Sequence, residues 1–369
     1  MEYSFTASPK NNHDNNIRPS EKQVAIFTTH LGFLLSLNHV IIESMTAVTA
    51  SVLTPSAKQL RPFDVRRDLM AVANLIADCF AQSLDADGKR YVQQMRRAAN
   101  NPSWLWWAAL TKDDTNVPLW GFVWEEDGKI VGNLSLIPKY SLGERRYLIA
   151  NVAVDSAYRR RGIARALTLA ALQHLQQQHV HSVWLQVRED NLYAYSLYLS
   201  MNFQERTRRT LWHLPTKGAA RKPPTDILVS PRLPSDWKKQ KTWLLSAYPS
   251  EMIWCLPLDW KAIQPGLTGE LYRLFTQNYP YHLSARRKDK LLGILTRQRG
   301  GSTFDYLWLA ASPETESDAL GALVPTIQQT PLSKQILSFD YPSGRATETL
   351  LGMGFQPQRS LIWMNYNLE

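Results

Sequence analysis

The chain has 369 residues, 44% hydrophobic and 20% charged, a globular composition with enough length for two domains and more than one core. Its formal net charge of +10 suits a polyanionic partner, whether nucleic acid, a membrane surface or a phosphorylated small molecule. Its two cysteines, Cys79 and Cys255, lie far apart without metal or redox spacing, which argues against a disulfide framework and for a reducing compartment, the cytoplasm.

In chain order, residues 1–22 are polar and Asn-rich and read as disordered. Gln23 to Ile42 contains no Asp, Glu, Lys or Arg, a length that suits a bilayer span or a signal segment. His30, His39, Asn38 and Gly32 within it count against a span, and translation starting at Met45 would remove it. Residues 1–54 are therefore read as a disordered or mis-started extension. Gln59 to Phe63 is expected as a short first strand, and Leu69, Val72, Leu75, Ile76 and Cys79 recur at helical spacing over Val65 to Phe80. Leu119 to Trp124 and Lys129 to Ile137 read as a hairpin across Asp127-Gly128. Trp104, Trp106, Trp107, Trp120 and Trp124 are candidates to wall a ligand pocket, with packing in core and hairpin as their plainer role.

Arg146 to Val154 then alternates as a strand and delivers a turn with three arginines and one glycine, Arg159-Arg160-Arg161-Gly162, after which an Ala/Leu/Gln-rich helix begins. A strand, a basic turn and a helix N-terminus in this order make an anion site. Gly162 lets a phosphate approach the backbone, Ala164 keeps the first helical turn slim, and the arginines add to the helix dipole. A Walker loop would need Gly-Lys-Ser/Thr, and a dinucleotide fingerprint would need two earlier glycines; neither is present. Val183 to Arg188 reads as the next strand, and Glu189-Asp190-Asn191 as its turn and a helix cap. Asn191 opens Asn-x-x-Ala-x-x-x-Tyr-x-x-Met-x-Phe, which puts Asn191 and Tyr198 two helical turns apart on one face.

The pattern Arg159, Gly162, Ala164 resembles motif A of the GNAT acyltransferase superfamily, and Asn191 to Phe203 resembles its motif B. The resemblance implies an α/β (α+β) fold, a mixed and mostly antiparallel sheet flanked by helices and splayed at its central strand. There the backbone of Val152, Ala153 and Val154 would pair with the pantetheine of acetyl-CoA, the acyl donor. Arg159, Arg160, Arg161, Gly162, Ile163, Ala164 and Arg165 would hold its pyrophosphate. Asn191 and Tyr198 would belong to the same site, and Tyr198 would protonate the leaving thiolate as general acid. The implied acceptor is an amine, on a small molecule, a protein N-terminus or a lysine; no metal is implied, and nucleic acid and membrane are set aside as partners. One position departs from the family: relatives that acetylate protein N-termini commonly have Leu-Glu-Val-Arg before the Asn, whereas this chain has Leu185-Gln186-Val187-Arg188. A Gln takes no proton at neutral pH, which leaves water, Glu144 or Glu189 as the base. A non-catalytic protein that binds acyl-CoA or nucleic acid is the alternative.

Pro215, Pro223, Pro224, Pro231 and Pro234 mark residues 215–236 as a linker or crossing segment. Beyond it, Ser343-x-x-Ala346-x-x-x-Leu350-x-x-Met353-x-Phe355 repeats the pattern from Asn191 to Phe203 at an offset of 152, and Ile336 to Phe339 falls where Trp184 to Val187 would. The repeat breaks where the chemistry sits. Ala311 to Glu316 stands in place of the arginine turn, acidic and without Gly, and Leu350 replaces the Tyr. The expected organisation is an extension over 1–54, a catalytic GNAT domain over 55–214, a linker over 215–236 and a degenerate GNAT-like domain over 237–369. Deleting that last domain is expected to cost stability or acceptor selectivity before it costs the cofactor.

Overall fold

A computed structural model describes residues 59–82, 84, 86–101, 103, 119–141, 144–215, 223–300, 304–330 and 335–368. The expected extension over 1–54, including the uncharged stretch 23–42, and the aromatic residues Trp104, Trp106 and Trp107 lie outside the described residues. Two units are formed, one drawn from Met1–Asn133 and Ala153–Leu167, the other from Leu134–Val152 and Thr168–Glu369.

The first unit contains β1 (Leu60–Pro62), α1 (Val65–Cys79), α2 (Ala86–Ala99) and β2 (Trp120–Glu126), with parts of β3 (Lys129–Ser141), β4 (Glu144–Val154) and α3 (Ile163–Gln177). Helix α1 starts where the Asp64 carboxylate accepts the Arg66 N–H at 2.9 Å. Its apolar face, Leu69, Val72, Ala73, Leu75 and Ile76, packs with Val92, Met95 and Ala98 of α2 and with Val123 and Ala153. Asp68 is 1% exposed, and its charge is met by a two-pronged Arg61 at 2.6 and 2.9 Å and by the Asp64 N–H at 2.8 Å. Arg61 also reaches Glu125 at 2.7 Å, beside the antiparallel pairing of β1 with β2. The hairpin turn forms at Asp127 and Gly128, whose φ values of 49° and 76° are the left-handed pair that matches strand twist.

The second unit continues with β5 (Ser182–Arg188), α4 (Leu192–Leu199), β6 (Gln204–Leu214), β7 (Leu228–Pro231), α5 (Trp237–Ala247), α6 (Trp260–Ile263), α7 (Leu267–Thr276), β8 (Tyr281–Arg287), β9 (Lys290–Arg299), β10 (Phe304–Ala311), α8 (Glu316–Gln328), β11 (Ile336–Pro342), α9 (Thr347–Gly352) and β12 (Gln356–Asn367). Its strands lie in the order β3-β4-β5-β12-β6-β11-β10-β9-β8-β7. β4 with β5 and β10 with β11 are parallel; β5 with β12, β12 with β6, β6 with β11, and β7 to β10 in series are antiparallel. The sheet is mixed and mostly antiparallel, as expected. Its main core holds Trp308, Leu295, Leu320, Leu323, Phe339 and Phe355, and a smaller cluster joins Trp184, Met252 and Trp363. Part of the stretch expected as a linker is a strand instead: β7 is an outermost strand, where Pro231 is tolerated because only one side has to pair.

The internal repeat extends further than the sequence pattern reveals. From β7 to β12 the chain runs strand, helices, three strands, helix, strand, helix, strand, the order in which it runs from β1 to β6. The last strands of the two repeats pair antiparallel, with Leu361 opposite Arg209, its own counterpart 152 positions earlier. Arg188 of β5 lies opposite Leu361, and Pro342 of β11 lies opposite Arg209. This symmetry sets the β5-to-β11 offset at 154 rather than 152. The correction of two residues is one full pleat, so every side chain keeps its face.

β12 pairs with β5 on one side and β6 on the other. Truncation at residue 236 would bare both strands along their length, which gives the stability cost expected of that deletion a physical source. The truncated chain is expected to be insoluble or to lack a cooperative thermal transition, whereas the full chain unfolds cooperatively; circular dichroism on heating checks this.

A second outcome concerns acid. His282 Nδ1 lies 2.9 Å from the Thr296 hydroxyl, and burial, with Arg232 and Arg273 nearby, pushes the imidazole down to about 3. The unfolded imidazole titrates near ~6.5, so the unfolded chain takes up the proton first as pH falls. Stability present above that value is then lost progressively toward the folded value, by up to about 5 kcal/mol. Urea midpoints should fall between neutral pH and acid, and His282→Gln should flatten that slope.

Candidate functional site

In the first unit, β4 ends at Val154 and hands over to the arginine turn. Asp155 caps a short 3-10 turn over Ser156–Tyr158 by accepting the Ala157 N–H at 3.1 Å. The Lys129 ammonium, 2.7 Å away, and that N–H hold the Asp155 carboxyl below the usual range. The Asp155 N–H donates to Val131 at 2.9 Å, which ties the turn to β3. Arg159 points back at the strand: its Nε donates to the Val154 carbonyl at 3.1 Å, which Cys79 Sγ also approaches at 3.3 Å. Burial pushes the Cys79 thiol up. Arg161 lies over the Tyr158 ring at 4.8 Å and within 3.8 Å of Glu126. Arg160, at φ 62°, is exposed and makes no ion pair among the described residues.

Gly162 then opens α3, its carbonyl accepting the Ala166 N–H at 2.9 Å. Its φ is 80°, a left-handed conformation that costs a residue with Cβ, and a Cβ built there would meet nothing within 4 Å. Conformation rather than crowding requires the glycine, and the space over it is open. The helix start is seated on β3 through another glycine: a Cβ at Gly132 would lie 2.8 Å from Ile163 Cγ2. Ile163 is buried, while Ala164 and Arg165 complete the first turn. A hollow of about 410 Å³ between α1 and the β2-β3 turn is lined by both signs of charge, among them Arg61, Arg67, Asp78, Lys129 and Asp155. Trp120 and Trp124 are half-buried on the hairpin, the latter with Nε1 3.4 Å from Glu126.

In the second unit, the parallel pairing of β4 with β5 stops after Ile149 and Leu185. Asn151, at φ 52°, turns β4 away immediately afterwards, with its Nδ2 3.2 Å from Ser135 Oγ. The expected splay of the central strand is thus located between Ala150 and Val152. Gln186 is exposed on β5, opposite Trp363 of β12. On the same face Trp184 meets Trp254 edge-on at 5.8 Å, and Arg206 clamps Glu251 at 2.6 and 3.1 Å. Trp254 and Glu251 went unnoticed in the sequence, whereas Trp363 belongs to the apolar stretch 353–364 that the sequence offers for packing against the first half's sheet or acceptor cleft, and it lies on β12 beside β5.

Asn191 caps α4, its side chain accepting the Ala194 N–H at 3.1 Å. Tyr198 on that helix is 5% exposed and meets Phe203 edge-on at 5.6 Å. Burial pushes its phenol well above the usual tyrosine range, so it stays protonated at neutral pH. Of the two candidate bases, Glu189 is engaged by Arg208 at 3.0 Å and Glu144 by Arg146, with His181 Nε2 at 3.9 Å.

The second repeat differs at the matching place. Four residues, Ser312 to Thr315, join β10 to α8, where eight, Asp155 to Gly162, join β4 to α3. At the start of α8 the Glu316 carboxylate is 7% exposed and receives the Tyr341 hydroxyl at 2.8 Å and Arg345 at 2.6 and 3.1 Å. The first turn of α8 thus carries a carboxylate paired with the chain's own arginine. Leu350, the counterpart of Tyr198, is fully buried.

Residues 71–203 match the model of the acetyltransferase (GNAT) family. The ribosomal protein bS18-alanine N-acetyltransferase of Escherichia coli K12 is 40% identical over 68 residues, 18% of this chain and 46% of that protein. The mycothiol acetyltransferase of Kocuria rhizophila is 29% identical over 171 residues, 45% of this chain and 50% of that one. The chain thus spans about half the length of these relatives. Among solved structures, a GCN5-related N-acetyltransferase from Sphaerobacter thermophilus superposes with a TM-score of 0.51 at 13% identity, over 85% of this chain and 96% of that one. This last likeness is one of fold.

The cap at Asn191 can be weighed directly. Asn191→Ala removes the acceptor for the Ala194 N–H and should cost about 1 kcal/mol of stability, whereas Asn191→Asp should cost little. Denaturant midpoints of the two variants check this.

Proposed function

Because residues 71–203 of this chain belong to the GNAT acetyltransferase family, we propose that it transfers the acetyl group of acetyl-CoA to an amine by direct attack. The observation that carries the proposal is Gly162, left-handed and open above, at the N-terminus of a helix that follows a strand and three arginines. A diphosphate fits there: the helix dipole and Arg160 supply positive charge, and no Cβ stands in its way. Arg159, Arg161 and Arg165 flank that position, with Ile163 and Ala164 in the first turn. The backbone of Val152, Ala153 and Val154 pairs with pantetheine as an added strand.

In the reaction the acceptor nitrogen attacks the thioester carbonyl, the C–S bond breaks, and the amide forms as the nitrogen loses a proton. Tyr198, kept protonated by its burial, gives its proton to the departing thiolate. Gln186 cannot take the proton from the amine, and that role falls to water or a carboxylate, with Glu144 and Glu189 as the named candidates. The acceptor is a small-molecule amine, a protein N-terminus or a lysine, and the reaction takes place in the cytoplasm. Residues 55–214 form the catalytic GNAT domain. Residues 237–369, joined through 215–236, form a degenerate GNAT-like partner that binds no CoA, because Glu316 and Arg345 occupy the start of α8.

Gly162→Val forces a β-branched residue into a left-handed conformation at a cost of about 1–2 kcal/mol and covers the open helix start. Calorimetric titration with acetyl-CoA should show no binding by a variant that still unfolds cooperatively, and unchanged affinity would sink the cofactor assignment. Tyr198→Phe should leave CoA affinity in place and lower turnover about 10²-fold. Full turnover in that variant, with chemistry rate-limiting, would make the phenol structural.

A further inference from the structure

Helix α7 turns its apolar side chains outward. Leu267, Leu271, Leu274 and Phe275 fall at the i, i+4, i+7, i+8 spacing of one helical face, and they are 83%, 55%, 63% and 83% exposed. Tyr279 and Tyr281, just beyond the helix, are 62% and 37% exposed. Other exposed apolar residues, such as Leu228, Leu233 and Leu351, lie scattered along the sequence. The helix cannot roll over to bury this face. Gly269 on its inner side is pressed against the Gln264 carbonyl, which a Cβ would meet at 1.9 Å, and Arg273 holds the Ala262 and Gln264 carbonyls at 2.7 and 2.9 Å.

The chemistry of the face selects its occupant. The helix's two charged residues, Glu270 and Arg273, pair with each other at 3.0 Å, so the stripe is electrically neutral. An anionic bilayer surface calls for a rim of lysines and arginines, and here nearby Lys261 lies over the Tyr272 ring at 5.7 Å. A charged peptide would find no complementary groups. A second copy of the same neutral stripe is its own complement across a two-fold axis. The six side chains expose on the order of 800 Å², the amount each partner of a standard interface buries. An exposed patch of that size also exceeds what an isolated surface commonly carries.

We propose that this chain forms a two-fold dimer in which α7 packs antiparallel against α7 of a second copy, with Leu271 next to the axis and the two tyrosines at the rim. The proposal is independent of the acyl-transfer chemistry, because none of these residues is placed at the CoA site.

Sedimentation velocity on the full chain at micromolar concentration should give twice the chain mass. Leu271→Glu combined with Phe275→Glu places like charges against each other across the axis and should weaken association at least about 100-fold, with the far-ultraviolet circular dichroism of the folded chain unchanged. Leu271→Cys should form a disulfide-linked dimer under mild oxidation, since residues at the axis meet their own copies; Ser246→Cys, on α5, should not. A wild-type chain that stays monomeric, or a dimer untouched by the double substitution and not trapped by Leu271→Cys, overturns the proposal. So does a monomer that floats with phosphatidylglycerol vesicles through this stripe, which would assign α7 to a lipid surface.

Discussion

The pairing of β12 between β5 and β6 is the constraint on which the second unit depends. β6 has β12 on one side and β11 on the other, so the last strand of the first repeat is held on both edges by strands of the second. Each repeat completes the sheet of its counterpart, and Leu361 opposite Arg209 marks the pivot of that exchange. Removing β12 would leave β5 and β6 each with a bare row of backbone donors and acceptors.

Arg209 shows how tightly the pivot is fastened. Its side chain is 1% exposed, a cost that only full pairing offsets. The guanidinium reaches the Asp340 carboxylate at 2.5 Å, the Asp340 carbonyl at 3.0 Å and the Ala247 carbonyl at 2.7 Å, and it stacks over Tyr248 at 4.6 Å. One residue of β6 thus joins β11 to the C-terminal turn of α5. The same helix leads into the turn that carries Glu251 and Trp254 to the face of Gln186.

What could be read from the sequence was what is encoded locally. The Asp127-Gly128 turn, the glycine at the start of α3 and the cap at Asn191 each depend on a residue whose backbone preference or short side chain acts within four positions. The last helix and strand of the repeat were legible because their apolar spacing survived. Strand exchange was not, since nothing within β12 itself names β5 and β6 as neighbours, and an outermost strand such as β7 carries so weak a pattern that its prolines read as a linker. The orientation of the arginines was also hidden. Their number announces an anion site, but Arg159 turned toward the Val154 carbonyl and Arg161 toward Tyr158 are outcomes of the turn's geometry. Trp254, which stands with Trp363 against Trp184, became visible only once the second repeat was placed.

In the proposed division of labour the first repeat binds acetyl-CoA and the second, with Glu316 held by Arg345 in the first turn of α8, does not. The stoichiometry of binding tests it most directly. Titration calorimetry of the full chain with acetyl-CoA is expected to give one molecule bound per chain, and Arg345→Ala, which unclamps Glu316 but leaves the carboxylate in place, is expected to leave that number at one. Two molecules per chain would show that the second repeat holds a working site, and none would remove the basis for acyl transfer altogether.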